Sequence, residues 1–544
     1  MTNLKINSSL RKSRWWFCLL IPALLLSCHK TKIEPVDVYP DPPEALVKFL
    51  DGNPSPAIGT EGSEVVFKVK GLKDKTGKFE FFINQTKAEV IAVTENTVTV
   101  KIPENSSTGG SSILIENEYY FGPTFTVRGK IMIDPTFNPD LYRSNGPIYE
   151  MMDWDGSNYV ISGYFNDYQN QAKTNVKIPG MAILLKSSLA YRGAGATTSQ
   201  FNVGKEGIAG TINTVLAVDN GKYIIAGSFG QYDTIKNVNS ITRINQNGTV
   251  DSMLVDIIGT PPLDKAWVPA FNGGVMGNIG KIFYNSTTKG ITAIGNFFSH
   301  VSTFYERSSI DGFQYDYVRT KQLVRMKENG AFDSSFNFNF ATKESYSGAN
   351  GTMYDAIQLS NGDLLAVGNF TTFHNKAARH IVRINGTDGS VNTSFLGSAD
   401  DDILRVVQNT TTRNILVTGN FKTYNGQKVN GVVMINENGA IIPTFNFGVI
   451  DGVPNFAGQM NNGKIIVSGS FSKYGSITRE GLLILNSDGT LAAGYNNTGL
   501  FRGVINNFKE TTTSTGTPAI ILYGSFDRFD NRQVGNIVKF RMEN

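Results

Sequence analysis

Seven copies of one short pattern constrain the fold of this chain more than any other feature. Each copy is an apolar run that ends in Gly-x-Phe, and the glycines are Gly163, Gly227, Gly295, Gly368, Gly419, Gly469 and Gly524. Successive glycines lie 64, 68, 73, 51, 50 and 55 residues apart. A unit of about 50 residues, lengthened by insertions in the early copies, has the length of a propeller blade. The chain is therefore predicted to form a β-propeller over residues 129–544.

Every copy repeats the same order of strands and turns. A weakly apolar strand leads through a tight turn, as at Asn220-Gly221, into the Gly-x-Phe strand. A third strand, a turn at a glycine such as Gly389 and a fourth segment ending at an anchor such as Phe395 follow. Asn-Gly pairs accept the positive φ angles that two-residue hairpin turns require. Each unit is predicted to be a four-stranded antiparallel meander.

The two ends of the repeat region are complementary. The last copy stops at its third strand, while residues 130–138 form a fourth strand that precedes the first copy. In that strand Asp134 and Phe137 align with Asp333 and Phe336 of a complete copy. Since a closed ring leaves no long exposed edge, the early strand is predicted to complete the last of seven blades.

A separate unit over residues 45–128 precedes the propeller. Short runs such as SEVVFKVKG and TVTVKIP alternate apolar and polar residues, and turn residues separate them without any helical period. This pattern predicts a small immunoglobulin-like β-sandwich, so that the whole fold is all-β. No charged or aromatic cluster marks a site in it, which favours a spacer, with a binding module as the alternative.

The N-terminus has the layout of an export signal. Residues 1–14 are polar and basic, and residues 15–27 are apolar but too few to cross a hydrocarbon core of ~30 Å. A signal peptide over 1–27 is predicted, followed by Cys28 and a proline-rich tether to residue 44. Cys18 and Cys28 are the two cysteines of the chain, so the mature protein offers no disulfide, cysteine–zinc site or cysteine nucleophile.

Charge excludes a nucleic-acid partner. The 50 basic residues exceed the 46 acidic ones by four, and four basic residues precede Cys28 in a segment without acids. The mature chain is neutral, with none of the basic excess of nucleic-acid binders.

Four stretches resemble three known families. Leu25-Leu26-Ser27-Cys28 resembles the lipobox of bacterial lipoproteins, which implies a lipid on Cys28 and an outer-membrane anchor. The alternative is an ordinary signal peptide with a chance cysteine. Pro56-Ala57-Ile58-Gly59, with the glycines that follow, resembles the start of an IPT/TIG domain. GNFTTF at 368–373 and GAFDSSFN at 330–337 are similar to delta-sixty repeat propellers of Bacteroidetes lipoproteins.

The resemblance implies a setting more than a chemistry. Such lipoproteins are associated with glycan-uptake systems, so outer-membrane transporter components are candidate partners. The acid-rich stretch that accompanies surface export is replaced here by His29-Lys30-Thr31-Lys32, which leaves cell-surface and periplasmic orientations open.

Catalytic motifs are not found in the sequence. It has no phosphate-binding glycine loop, G-x-S-x-G elbow or H-E-x-x-H helix, and no cofactor, metal or catalytic residue is predicted. His300, His374 and His380 are expected to be solvated loop residues. Residues 153–158 (DWDGSN) are predicted to be a hairpin turn, with a calcium loop as the alternative.

The longest insertions fall on one predicted face. They occupy 166–180 and 298–321 between second and third strands, and 190–211, 255–278 and 337–352 between blades, which are loop classes that emerge on the same side of a meander. Insertions gathered on one face indicate a binding surface. An aromatic that recurs after most Gly-x-Phe motifs could be a ring of sugar platforms, but its presence in most copies favours packing within the blade.

Four aromatic residues are the candidate ligand site. Trp267 lies outside the repeat pattern in an insertion predicted to be a proline-rich loop, and Tyr305, Tyr315 and Tyr317 lie in the next blade's insertion. A planar ring there suits stacking on a sugar; alternatively Trp267 folds back into a small core of its own loop.

The predicted function is non-catalytic binding at the outer membrane, with a polysaccharide as the favoured ligand. A protein-binding or adhesive scaffold and a propeller glycoside-processing enzyme are the alternatives. Exposed aromatic rings would favour a glycan, a broad apolar patch a protein, and a carboxylate pair about 5 to 9 Å apart an enzyme.

Overall fold

A computed structural model describes residues 47–174, 177–192, 210–233, 235–236, 238–259 and 263–543. Over these residues the chain forms β-strands and four short 3₁₀ turns, at Lys73–Lys75, Gln171–Thr174, Asp219–Gly221 and Tyr305–Arg307, and no α-helix. No described helix is long and apolar enough to cross a membrane. The all-β prediction is confirmed. The signal peptide, Cys28 and the tether to residue 44 lie outside the described residues.

The first unit is a β-sandwich. Its strands are β1 Lys48–Phe49, β2 Ile58–Gly59, β3 Glu64–Lys70, β4 Glu80–Ile83, β5 Thr86–Val93, β6 Thr97–Lys101, β7 Gly109–Ile115 and β8 Glu118–Val127. They are paired in the order β1-β3-β6-β5-β4-β7-β8-β2, with β2 parallel to β8. Side chains alternate between the faces of a strand, so Val65, Phe67 and Val69 of β3 are buried while Lys68 is exposed.

After β9 (Ile131–Ile133), seven of the described sheets are each built around one Gly-x-Phe strand, and short two-stranded sheets lie beside or between them. In chain order the strands are β10 Ile148–Asp153, β11 Asn158–Gly163 and β12 Met181–Leu185 in the first sheet; β13 Gly210–Val218, β14 Lys222–Phe229, β15 Gln231–Tyr232, β16 Ile235–Lys236 and β17 Ile241–Asn245 at the second; β18 Ser252–Ile257 and β19 Asp264–Pro269 after it; β20 Gly274–Asn285, β21 Gly290–Thr303, β22 Tyr315–Arg319 and β23 Leu323–Met326 in the third; β24 Phe338–Asn339 and β25 Glu344–Ser345 after it; β26 Met353–Gln358, β27 Leu364–Gly368, β28 Thr372–Phe373, β29 Lys376–Ala377 and β30 Ile381–Ile384 at the fourth; β31 Ile403–Gln408, β32 Ile415–Gly419, β33 Thr423–Tyr424, β34 Gln427–Lys428 and β35 Val432–Ile435 at the fifth; β36 Val453–Gln459, β37 Ile465–Ser470, β38 Lys473–Tyr474, β39 Ile477–Thr478 and β40 Leu482–Leu485 at the sixth; and β41 Arg502–Thr512, β42 Pro518–Phe529, β43 Arg532–Gln533 and β44 Ile537–Met542 in the seventh.

The repeated glycine has a steric cause. In each of the seven sheets the first strand has a β-bulge directly beyond the residue that pairs with the Gly-x-Phe glycine. A Cβ atom on any of these glycines would lie 2.0–2.3 Å from a carbonyl oxygen of that strand. Only glycine fits beneath the bulge, so the motif recurs wherever the first two strands pair.

The fourth segment of each unit is shorter than predicted. In the first six sheets it contributes a single bridge to the third strand, as at Met326 and Phe332. The reason is a turn: Asp333 accepts a hydrogen bond from the backbone of Ser335 at 3.0 Å, and the chain then carries Phe336 into the core. The meander therefore has three full strands and one bridging residue.

The early strand pairs with the last sheet, as predicted. β9 is antiparallel to β44, with Ile133 opposite Phe540 and Ile131 opposite Met542. Beyond β9, the Asp134 carboxylate lies 3.1 Å from the Lys539 ammonium, and both side chains are 1% exposed. This pair repeats the Asp333–Arg325 pair of the third sheet, so the sequence alignment of Asp134 with Asp333 is correct.

The first and seventh sheets are also joined directly. Asn506 donates from Nδ2 to the carbonyl of Ile148 at 2.8 Å, and its Oδ1 accepts from Arg405 at 2.9 Å. Lys509 of β41 pairs with Asp153 of β10. These contacts close the strand order from the last sheet back to the first.

The sandwich docks on loops of the sixth and seventh sheets. The backbone N–H of Thr108 donates to the backbone carbonyl of Asn497 at 2.9 Å, and Asn531 Nδ2 donates to the backbone carbonyl of Thr108 at 3.0 Å. Arg479, which is buried, donates to the Asn105 carbonyl at 2.9 Å. Residues 497 and 531 belong to the same two loop classes that carry the insertions, so the sandwich occupies part of the face predicted to carry them.

Candidate functional site

The candidate site lies where two insertions meet between the second and third sheets. The first insertion is a hairpin of β18 and β19, in which Leu254 is opposite Trp267. The second extends the Gly-x-Phe strand β21 to Thr303 and pairs it with β22. Ile258 of the first insertion donates its N–H to the carbonyl of Ser308 in the second at 2.7 Å. The predicted proline-rich loop at 255–278 is therefore wrong for its described part, which is mostly strand because the two arms pair with each other.

A side-chain amide fixes the two insertions together. Asn272 donates to the carbonyl of Thr303 at 2.9 Å, and the N–H of Thr303 donates to Asn272 Oδ1 at 2.8 Å. This pair of bonds copies a backbone pairing and sets the end of β21 against the chain that leaves β19. The wall of the site is thus held by hydrogen bonds as well as by packing.

A pocket of about 500 Å³ lies between these elements. The described residues that line it are mainly aromatic or apolar: Ile235, Lys236, Trp267, Val268, Pro269, Thr303, Tyr305 and Phe313. Trp267 is 70% exposed, so the alternative in which it packs into its own loop is wrong. The indole remains in solvent because Val268, its neighbour in β19, takes the inward position of the hairpin.

Tyr305 stands in the same pocket. Its ring contacts Phe313 edge-on, with centroids 6.3 Å apart. Burial raises the pKa of Tyr305 to about 12, although a hydrogen bond with Thr303 works in the opposite direction. The phenol therefore stays protonated at neutral pH and can donate a hydrogen bond to a ligand.

The other two predicted residues lie beside the pocket and do not line it. Tyr315 and Tyr317 are both on β22, with ring centroids 6.3 Å apart, and Tyr315 is opposite Thr303. Sequence reasoning missed Lys236 and Phe313. Lys236 comes from the short hairpin β15–β16 of the second repeat copy. Its ammonium is the one formal charge among the described lining residues, and the described residues give it no ion-pair partner.

The recurring aromatic belongs to the blades, as predicted. Tyr168, Tyr232, Phe373, Tyr424 and Phe529 are fully buried. The hydroxyls of Tyr168 and Tyr232 donate to turn carbonyls of their own sheets, at 2.8 and 2.7 Å. These rings are packing residues and not sugar platforms.

The histidine prediction is wrong. His300 is buried within β21 and contacts the Gly330 carbonyl through Nε2 at 3.0 Å, and His380 is buried as well. Burial lowers the pKa of His374 to about 4. The His374 ring contacts the rings of Phe373 and Tyr346, and His380 Nδ1 contacts the Gly368 carbonyl at 3.2 Å, so these imidazoles are packed and not solvated.

The acidic turn at residues 153–158 is supported as a turn. Asp155 accepts from the N–H of Ser157 at 2.8 Å and from the Asn158 amide at 2.8 Å. Asp153 pairs with Lys186 and Lys509. Within the described part of the chain, no group of three or more His, Cys, Asp or Glu side chains is arranged to hold a metal ion.

The sandwich carries an aromatic cluster that the sequence reasoning did not find. Tyr119 and Phe121 are exposed on β8, with parallel rings 6.2 Å apart, and Phe82 lies 6.3 Å from Tyr119. The expectation of no aromatic cluster in this unit is wrong, because β4 and β8 are distant in sequence and neighbour the same strand, β7.

Comparison with sequence families supports the propeller. Residues 219–252, 359–395 and 461–491 match the beta-propeller family "Domain of unknown function (DUF5122)". Residues 40–123 match "Domain of unknown function (DUF5008)". The comparison with curated protein sequences found no match. The matched propeller segments cover the second and third strands of the second, fourth and sixth sheets. The IPT/TIG resemblance of the first unit stays a prediction.

Three solved structures are similar at low identity. The WD40 beta propeller domain of Doa1 is 12% identical, covers 74% of this chain and 96% of its own, and has a TM-score of 0.35. An auxiliary nutrient binding protein from Bacteroides ovatus is 12% identical over 91% of this chain and 98% of its own, with a TM-score of 0.28. One from Bacteroides thetaiotaomicron is 10% identical over 92% and 98%, with a TM-score of 0.32.

Proposed function

We propose that this chain is an exported, lipid-anchored protein that binds a polysaccharide in the pocket of Trp267 and Tyr305. The exposure of Trp267 carries the proposal. An indole that is 70% exposed contributes little to the core, and its position is outside the repeat that builds the blades. Apolar surface kept in water at a pocket wall is typical of a ligand site.

The chemistry of the lining suits a sugar. The aromatic faces of Trp267 and Tyr305 can stack on the C–H faces of a pyranose ring. Thr303, Tyr305 and the ammonium of Lys236 supply hydrogen-bond donors for its hydroxyl groups. The pocket is open at the surface and lies between insertions, so it can hold one segment of a long polysaccharide.

Binding without cleavage is the form of the proposal that the lining favours. Glycoside hydrolysis generally uses two carboxylates on either side of the scissile bond. The eight described lining residues include no carboxylate. We propose that the ligand is held for uptake, with a lipid on Cys28 anchoring the protein to the outer membrane and transporter components as partners.

A protein ligand is the second candidate, and one observation favours it. Leu254, Ile258 and Leu263 are exposed beside Trp267 on the same insertion. Several exposed apolar residues on one insertion are a feature of protein interfaces. The two candidates would use different residues. A sugar would contact the indole face of Trp267, whereas a protein would also contact Leu254, Ile258 and Leu263.

The test uses the chain from His29 onward, which retains every described residue. Its mobility is measured in native gels containing xyloglucan, laminarin, arabinan or dextran, and the retarding polysaccharide is then titrated. We expect Trp267→Ala to weaken binding at least about fivefold, ~1 kcal/mol for a stacked aromatic, with an unchanged melting temperature. Leu254→Ser on the facing strand is the matched control and should bind as the parent does.

Two outcomes would contradict the proposal. If none of the four polysaccharides retards the parent, the glycan proposal fails for this pocket. If Leu254→Ser weakens polysaccharide binding as much as Trp267→Ala does, binding does not depend specifically on the indole face, and the proposed stacking on Trp267 is refuted.

A further inference from the structure

A second exposed aromatic residue lies on the insertion face, apart from the Trp267 pocket. Phe298 follows the third Gly-x-Phe motif and is 60% exposed. The equivalent positions in the other six copies hold Asn166, Gly230, Thr371, Lys422, Ser472 and Asp527. The repeat therefore places this position in solvent and gives it a polar residue or glycine. Blade packing does not account for a phenylalanine there.

Phe298 divides two depressions. One, of about 430 Å³, is lined on the far side by Arg319, Lys321 and Tyr346. The other, of about 520 Å³, is lined by polar groups of the second sheet such as Ser228 and Asn239. An aromatic wall surrounded by amide, hydroxyl and charged groups offers both a stacking face and hydrogen bonds, which is the combination that a sugar ring requires.

A buried amide beneath the first depression has an unused acceptor. Gln322 lines this depression and is 7% exposed. Its Nε2 donates to the Gly351 carbonyl at 2.7 Å, while its Oε1 has no hydrogen-bond partner among the described residues. An unpaired buried carbonyl is costly, so a hydroxyl donor that reaches it from the depression is favoured.

The two aromatic sites lie along one strand. Phe298 and Thr303 are both on β21, and Thr303 lines the Trp267 pocket. Five residues of extended strand span roughly 17 Å. An oligosaccharide lying along β21 can therefore reach both sites, whereas a single sugar cannot.

We propose that Phe298, with Tyr346, forms a second subsite for the same polysaccharide, so that the protein binds an extended segment of chain. This rests on the proposed function, because the first subsite is the Trp267 pocket. The two subsites bind different segments of one polysaccharide chain. Affinity should rise with chain length until both are filled.

The test is a length series on matched variants. Xylo-oligosaccharides and laminari-oligosaccharides, from disaccharide to octasaccharide, are titrated by calorimetry against the parent and three variants of the chain from His29. Phe298→Ala should bind the short members as the parent does and lose about fivefold on the longest. Phe298→Tyr should keep the parent's affinity. Thr371→Ala, at the equivalent position of the next copy, should have no effect.

The outcomes separate this inference from the proposed function. If Phe298→Ala matches the parent at every length, or if the parent's affinity does not rise with length, the second subsite is refuted while the Trp267 pocket stands. If the parent binds neither series although a polysaccharide retards it in native gels, the second subsite is refuted and the Trp267 pocket stands. If it binds neither series and no polysaccharide retards it, the proposed function fails and the second subsite fails with it. A melting temperature equal to the parent's shows that each variant is folded.

Discussion

A buried ion pair, Asp134–Lys539, lies at the junction of the early strand and the last sheet, and removing its carboxylate should cost much of the stability. Asp134 and Lys539 are each 1% exposed and 3.1 Å apart, and the described residues give the Lys539 ammonium no other partner. Asp134→Ala would leave a buried, unpaired ammonium. Breaking a buried pair in this way costs about 3–5 kcal/mol. We expect a loss of that size in the free energy of unfolding at pH 7, measured by urea denaturation.

Two further variants separate the charge effect from general damage. Asp134→Ala combined with Lys539→Met replaces both charges by apolar groups, and it should recover most of the loss. Asp333→Ala removes the equivalent carboxylate of the third sheet. There Arg325 still donates to Ser335 and to the carbonyls of Gly386 and Thr387, so the loss should be smaller.

The pH dependence follows from the same pair. Burial alone would raise the pKa of Asp134, but hydrogen bonds from Thr136 and the charge of Lys539 outweigh it and hold the pKa below its usual value. The stabilisation is therefore complete above the unfolded pKa of about 3.9 and is lost as the pH falls through the folded value. The difference in the free energy of unfolding between the parent and Asp134→Ala should become smaller at acid pH. A loss below about 1 kcal/mol at pH 7, or no recovery in the double variant, would refute the reasoning.

Two other predictions concern the repeat and the anchor. A Cβ on Gly368 would lie 2.0 Å from the Thr352 carbonyl, so Gly368→Ala should lower the free energy of unfolding by about 1–3 kcal/mol or more; Gly156→Ala, in an open turn, is the matched control, and equal losses in urea denaturation would contradict the steric account. Cys28→Ala in the full chain should remove the lipid and move the protein out of the detergent phase on phase partitioning, whereas unchanged partitioning would refute lipidation.

The repeat geometry was predictable because it depends on the backbone. The Gly-x-Phe glycine marks a bulge that recurs in every sheet, and the Asp134–Asp333 alignment identifies the closing strand without any knowledge of side-chain packing. The ring of seven blades stays a prediction, which the Asp134 variants address through its closing contact.

The site was predictable only in part, because its geometry comes from residues outside the repeat. The exposure of Trp267 depends on which face of the β18–β19 hairpin turns inward, and periodicity does not determine this in an insertion. Lys236 lines the same pocket as Trp267, but it belongs to another hairpin, so no sequence signal linked the two residues. Phe298 was the exception: its departure from six polar or glycine residues at the same repeat position could have been seen in the sequence.

The most direct measurement of ligand contact at Trp267 is acrylamide quenching of tryptophan fluorescence. The chain from His29 onward contains two tryptophans, and Trp154 is 5% exposed whereas Trp267 is 70% exposed, so the quenchable emission comes from Trp267. If a polysaccharide stacks on the indole, adding the one that retards the protein in native gels should reduce quenching of that emission towards the level of a buried tryptophan. Retardation in the gel with quenching unchanged would show that the ligand binds elsewhere, and would contradict binding at Trp267.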